Sequence, residues 1–144
     1  IRNIKGGEDD AQPVSIYFYG DNNKPFKPCK SMRRVLVQLW GSESLVFHGR
    51  RLTIYRDDTV KWAGVEIGGI RISHASHIPA DTRVLVTTAK NNRKPMVIEV
   101  LPMVELKDLV GAKKALKENK ITLDAVLEKY DLTEEQFKAL QDEN

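Results

Sequence analysis

The chain has 144 residues, 41% of them hydrophobic and 30% charged, with a net charge of +3. That length suits one domain with an appendage and a modest core. No apolar run approaches the ~20 residues that a membrane-spanning helix needs, and a single cysteine, Cys29, excludes an internal disulfide and fits a reducing compartment. The small total charge hides an uneven distribution. Residues 24–94 carry 14 Lys and Arg against 5 Asp and Glu, whereas residues 105–144 carry 7 against 10. A basic body attracts polyanions; an acidic end region does not.

Residues 1–5 read as a frayed arm or a short first strand, and residues 14–19 (VSIYFY) as a strand with aromatics on both faces. Gly20-Asp21-Asn22-Asn23 is turn chemistry. Residues 24–34 (KPFKPCKSMRR) read as a basic loop, with Pro25 and Pro28 opposing a helix. Phe26, set among lysines, suits either stacking on a base or plugging the end of the core. Residues 35–40 (VLVQLW) read as a central strand covered on both faces, with Trp40 in the core or at its rim. Residues 42–47 suit one helical turn capped by Ser42.

In residues 49–56 the alternation predicts Leu52 and Ile54 facing inward and Arg51, Thr53 and Tyr55 facing outward. Asp57-Asp58 make a turn. Residues 60–73 predict a strand or hairpin broken at Gly68-Gly69, with Lys61 and Trp62 at a groove edge. Ile70 and Ile72 then face inward, and Arg71 and Ser73 outward. Residues 83–90 and 95–101 flank Asn91-Asn92-Arg93-Lys94, which predicts a hairpin with a basic tip.

Pro102 marks a boundary, beyond which the hydrophobic period changes from 2 to 3.6. Leu106, Leu109, Val110 and Leu116 outline a helix ending near Asn119. Thr122 caps a second helix, whose apolar side holds Val126, Leu127 and Tyr130. Thr133 and Gln136 have capping-box spacing for a third helix over residues 134–141, with Leu132 and Phe137 at staple positions.

Within residues 33–78 the order is a strand ending in Trp40-Gly41, a short helical step, GRRLTIY at 49–55, GGIRIS at 68–73 and SHI at 76–78. This order resembles the second half of an OB-fold. It is similar to the nucleic-acid-binding OB domains of replication protein A and to the anticodon-binding domain of aspartyl-tRNA synthetase. It also resembles uncharacterised phage and prophage proteins found near recombination functions. The resemblance implies a mainly β chain, with an OB-fold-like five-stranded barrel over residues 1–101 and room for an extra hairpin. A small three-helix module over residues 105–144 follows it. The implied function is binding of single-stranded DNA, or RNA, with little sequence preference. The implied setting is DNA replication or recombination, in the cytoplasm of a bacterium or a phage-infected host cell.

Arginines and aromatics interleaved on short strands place the groove at Arg50, Arg51, Tyr55, Arg56, Lys61, Trp62 and Arg71. Its rims fall at Lys27, Lys30, Arg33, Arg34, Arg93 and Lys94. The last helix carries Glu134, Glu135, Asp142 and Glu143 against Lys138 alone, a charge that opposes a phosphate backbone. The helices are therefore expected to recruit a protein partner. A protein–protein adaptor with no direct role at nucleic acid is the alternative.

No catalytic group, cofactor or metal is expected. His48, His74, His77 and Cys29 fall short of zinc-ligand spacing. Residues 64–69 (GVEIGG) lack the Lys-Ser/Thr of a phosphate loop, and no nucleophile elbow, HExxH or paired-carboxylate pattern occurs.

Overall fold

The computed structural model describes residues 1–89 and 92–142, without the side chains of Thr88 and Ala89. Lys90 and Asn91 of the basic tip, and Glu143 and Asn144 of the last helix, lie outside the described residues. The described residues form a mixed α/β fold of open sheets. No closed barrel occurs among them.

Strands β1 (Asn3–Gly6) and β2 (Val14–Tyr17) make an antiparallel pair. Phe26 extends it by bridging Ile16, and its ring is buried, so it plugs the core and does not meet solvent. The turn between β2 and Phe26 rests on Asp21, whose carboxylate accepts from the amides of Asn23 and Phe18 at 2.9 and 3.0 Å.

The principal correction to the expected fold is α1 (Lys30–Trp40), a helix where a central strand and the end of a basic loop were predicted. Met32, Val35, Leu36 and Trp40 are buried while Val37 and Gln38 are exposed, a stripe at helical spacing. Pro28 lies just before the N-cap residue Cys29, where it does not interrupt the helix. Gly41 ends the helix at φ +88. The helical step is shorter than expected, a 3-10 turn, Ser44–Phe47, that begins after Glu43 with no side-chain cap from Ser42.

The four-stranded sheet has the order β3 (Leu52–Asp57), β6 (Gly69–Ala75), β8 (Asn92–Val100), β7 (Thr82–Ala89). A small hairpin, β4 (Lys61–Trp62) and β5 (Val65–Glu66), interrupts the chain between β3 and β6. The sheet is two antiparallel pairs, β3–β6 and β7–β8, joined by a parallel contact at only two positions, His74↔Glu99 and Ala75↔Val100. Helix α1 packs on β7. Its apolar stripe meets Val84 and Val86 of β7, Ile98 of β8 and Ile72 of β6 in one buried cluster. Trp40 sits edge-on to Phe47, ring centroids 5.3 Å apart, and its Nε1 donates to the Ser76 carbonyl at 2.9 Å. It is core.

Ile54 and Ile70 share the face of buried Ile72, as predicted, but stay 40% and 41% exposed, because β3 is the outer strand and β6 has parted from β8 at that level. The register of β3 on β6 shifts between Thr53 and Ile54, opposite Ser73.

Beyond Pro102, α2 (Leu109–Lys117), α3 (Leu123–Lys129) and α4 (Glu134–Gln141) surround a second cluster that includes Leu106, Leu116, Val126, Leu127, Leu132 and Leu140. Helix α2 starts later than the pattern predicts, capped by Asp108, and Val110 points to solvent at 79% exposure. The capping box of Thr133 and Gln136 forms as expected, and the Gln136 side-chain Nε2 also donates to the Leu106 carbonyl at 3.1 Å. No helix among the described residues is long and apolar enough to cross a membrane.

Candidate nucleic-acid interface

Below their two-position contact, β6 and β8 separate. The space between them is an open groove of about 1220 Å³. One wall is Tyr55 and Asp57 of β3 with Gly69, Ile70 and Arg71 of β6. The other is Val86 and Thr87 of β7 with Lys94, Pro95 and Met96 of β8. The entry to α1 closes one end with Lys27, Cys29, Lys30 and Ser31. Lys61, Trp62 and Glu66 of the small hairpin stand at the mouth, with Ile67 beside them.

The groove therefore gathers Lys27, Lys30, Tyr55, Lys61, Trp62, Arg71 and Lys94 from the predicted set. Its cations exceed its carboxylates, which are Asp57 and Glu66. Both carboxylates are engaged. Asp57 accepts from the Thr59 hydroxyl at 2.6 Å and amide at 3.0 Å, and these bonds hold it below the usual carboxylate range. Glu66 lies 3.9 Å from Lys61. Among the described residues no carboxylate pairs with Lys27, Lys30 or Lys94. Arg71 is half-buried, its guanidinium 3.7 Å from the Cys29 sulfur. Two rings are presented to solvent, Tyr55 at 45% and Trp62 at 73% exposure.

The rest of the predicted set lies outside the groove lining. Arg33 donates to the carbonyls of Ala11 and Pro28, both at 3.1 Å, and pins the Ala11-Gln12 segment beside the groove. Arg34 is exposed on α1. Arg56 is spent on Asp58 at 2.7 Å. Arg93 pairs across from Thr87, one position along β8 from Lys94, whose partner is Val86. Arg93 is exposed and lies beyond the lining, although its partner Thr87 is part of it.

Arg50 and Arg51 serve a different purpose: they join the sheet to the helical module. Asp131 is fully buried, and its carboxylate accepts from Arg51 Nε at 2.8 Å, from Arg51 Nη2 and from the Val104 amide at 2.8 Å. Arg50 lies 3.5 Å from Glu134 and 5.4 Å over the Trp40 ring. Two histidines share this seam. His48 faces the Phe137 ring at 6.3 Å. His77 Nε2 is 2.7 Å from the Leu132 carbonyl, so that nitrogen carries a proton, and Nδ1 accepts from the Ser76 hydroxyl at 2.8 Å. Ser76 Oγ already accepts from the Arg51 amide at 2.8 Å.

Burial pushes His77 below the ordinary histidine value, against the Leu132 bond that favours the cation. Burial lowers His48 in the same way. Among the described residues no cluster of three or more His, Cys, Asp or Glu could hold a metal.

The signal missed in the sequence is Gln12, Ile67 and Thr87, none of them charged, which line the groove between the cations. No family model, curated protein or solved structure matches the chain.

Two stability outcomes follow from the seam. Asp131→Asn leaves the Arg51 guanidinium without its partner and should cost about 3 kcal/mol, read as a lower urea midpoint. The lowered His77 value means that the unfolded chain takes up the proton first. The stability that neutral His77 protects is complete above pH 6.5 and is lost as the pH falls below it. A melting series from pH 7 to 5 should fall more steeply in the native protein than in His77→Gln.

Proposed function

We propose that the protein binds single-stranded nucleic acid along the groove between β6 and β8, with little sequence preference. The observation that carries this reading is the convergence of Lys27, Lys30, Arg71 and Lys94 from separate parts of the chain on one trough that also presents Tyr55. The lysines neutralise phosphates and release counterions. A ring stacks on any base, worth ~1–3 kcal/mol each, which supports affinity without sequence readout. The apolar share of the lining, Val86, Ile70 and Met96, suits unstacked bases better than a duplex backbone. The replication or recombination setting rests on the OB-like resemblance alone.

The helical module has an acidic last helix and keeps Arg50 and Arg51 occupied, so it stands apart from the phosphate-binding surface. A protein partner on its outer face remains part of the proposal. The adaptor reading differs in requiring no polynucleotide in the groove.

Fluorescence anisotropy with a labelled oligonucleotide separates the two. The expected slope of log affinity against log salt is about −3, from about −0.7 per neutralised phosphate for four to five cations. Lys27→Ala with Lys30→Ala should make the slope shallower, and Tyr55→Ala should weaken binding by about tenfold. A flat salt series, with no retardation of DNA or RNA strands, would leave the adaptor reading in its place.

A further inference from the structure

The small hairpin β4–β5 is the least explained part of the molecule. Its turn is Ala63-Gly64, with φ +50 and +81, the two-residue geometry that matches the twist of a hairpin. A positive φ at alanine is uncommon and is kept only where the surroundings require it. The base is clamped: the Val60 carbonyl accepts from the Ile67 amide at 3.0 Å and the Gly68 amide at 3.1 Å. Lys61 and Glu66 pair across it. On this braced support, Trp62 and Val65 are direct cross-strand partners and so share a face. They are 73% and 63% exposed, and Ile67 just beyond is 57% exposed. Single exposed apolar residues are ordinary, but three large ones on a protruding turn mark an interaction surface.

Location decides what that surface meets. Trp62 and Ile67 line the mouth of the cationic groove, whereas Val65 does not line it. A strand lying in the groove would pass the hairpin as it leaves. If the strand continues into a duplex, the terminal base pair arrives there with one flat aromatic face uncovered. An indole and an adjacent aliphatic group on a two-residue turn fit such a face.

We infer that the preferred ligand is a junction between single-stranded and double-stranded nucleic acid. The single strand lies in the groove and the end of the duplex stacks on Trp62 and Val65. This rests on the groove reading above and adds to it which polynucleotide is selected.

The full chain is titrated with three labelled oligonucleotides: a single strand, the same strand with part of its length in duplex, and a blunt duplex. The junction should bind about tenfold more tightly than the strand alone. Val65→Ser lies outside the groove lining and should reduce that preference severalfold at unchanged single-strand affinity. Trp62→Ala should abolish it. Trp40 is buried and Trp62 exposed, so loss of intrinsic fluorescence on adding the junction reports stacking on Trp62 directly. Equal affinity for strand and junction, or a preference that survives both substitutions, overturns the inference and leaves the groove reading intact. No binding to any oligonucleotide overturns both. Vesicles of phosphatidylserine and phosphatidylcholine form a final arm. Binding there that shifts Trp62 emission, without a junction preference, would assign the hairpin to a lipid surface.

Discussion

The groove exists because β6 and β8 touch at His74↔Glu99 and Ala75↔Val100 and then part. A longer parallel ladder would close the space that Arg71 and Lys94 face. Two features oppose a longer ladder, the first next to its end and the second four residues farther along β8. The register of β6 on β3 shifts at Ser73, which bends the strand away. Pro95 in β8 brings no N–H to a continued ladder. Each strand pair keeps its backbone bonds within itself, so the separation leaves both hairpins intact. Helix α1 then covers the β7–β8 pair and places its first turn, with Lys30 and Ser31, at the end of the opening. The Ser31 hydroxyl donates to the Thr87 carbonyl at 3.2 Å and ties that turn to the far wall.

Charge is sorted by the same architecture. Arg50 and Arg51 are adjacent in sequence to the groove strand, yet both turn toward the helical module and find Glu134 and Asp131. Arg51 is committed at three hydrogen bonds to a buried carboxylate and a carbonyl, an arrangement that a bidentate guanidinium makes and a lysine does not. Gly49, at φ +75, lets the chain pass so near the module that a methyl group there would lie 2.8 Å from Leu127. The seam is therefore a fitted contact, made of a buried ion pair, two histidines and a close backbone approach.

Local signals in the sequence proved dependable, and those that depend on distant partners did not. The capping box at Thr133–Gln136 is complete within four residues, and it forms as read. The β7–β8 hairpin likewise follows from adjacent runs. Residues 35–40 misled because VLVQLW is apolar at both periods. Only Met32 and the preceding Lys30-Ser31, assigned to a loop on account of Pro28, extend it into a helical stripe. Arg51 misled because its partner lies 80 residues away. Ile54 and Ile70 misled because facing the core does not guarantee burial: both share the face of buried Ile72, but they stand where β6 has parted from β8. Tyr55 and Arg71 were read from alternation and stand as cross-strand partners in the β3–β6 ladder, while Lys61 and Trp62 lie on a hairpin too short to bury them.

Charge in the trough is set against the packing of its walls. Lys27, Lys30, Arg71 and Lys94 border one space, and its two carboxylates are held by Thr59 and Lys61. Like charges across such a space repel, more so at low salt, where screening reaches less far. That repulsion opposes closure of the groove walls on one another. Apolar burial through α1 and the β7–β8 pair holds the walls in place against it. Near the groove, Arg56 pairs with Asp58 and Lys61 with Glu66, whereas Arg51 is committed to Asp131 at the seam. The groove thus keeps an excess of positive charge, with Asp57 and Glu66 as the carboxylates of its lining.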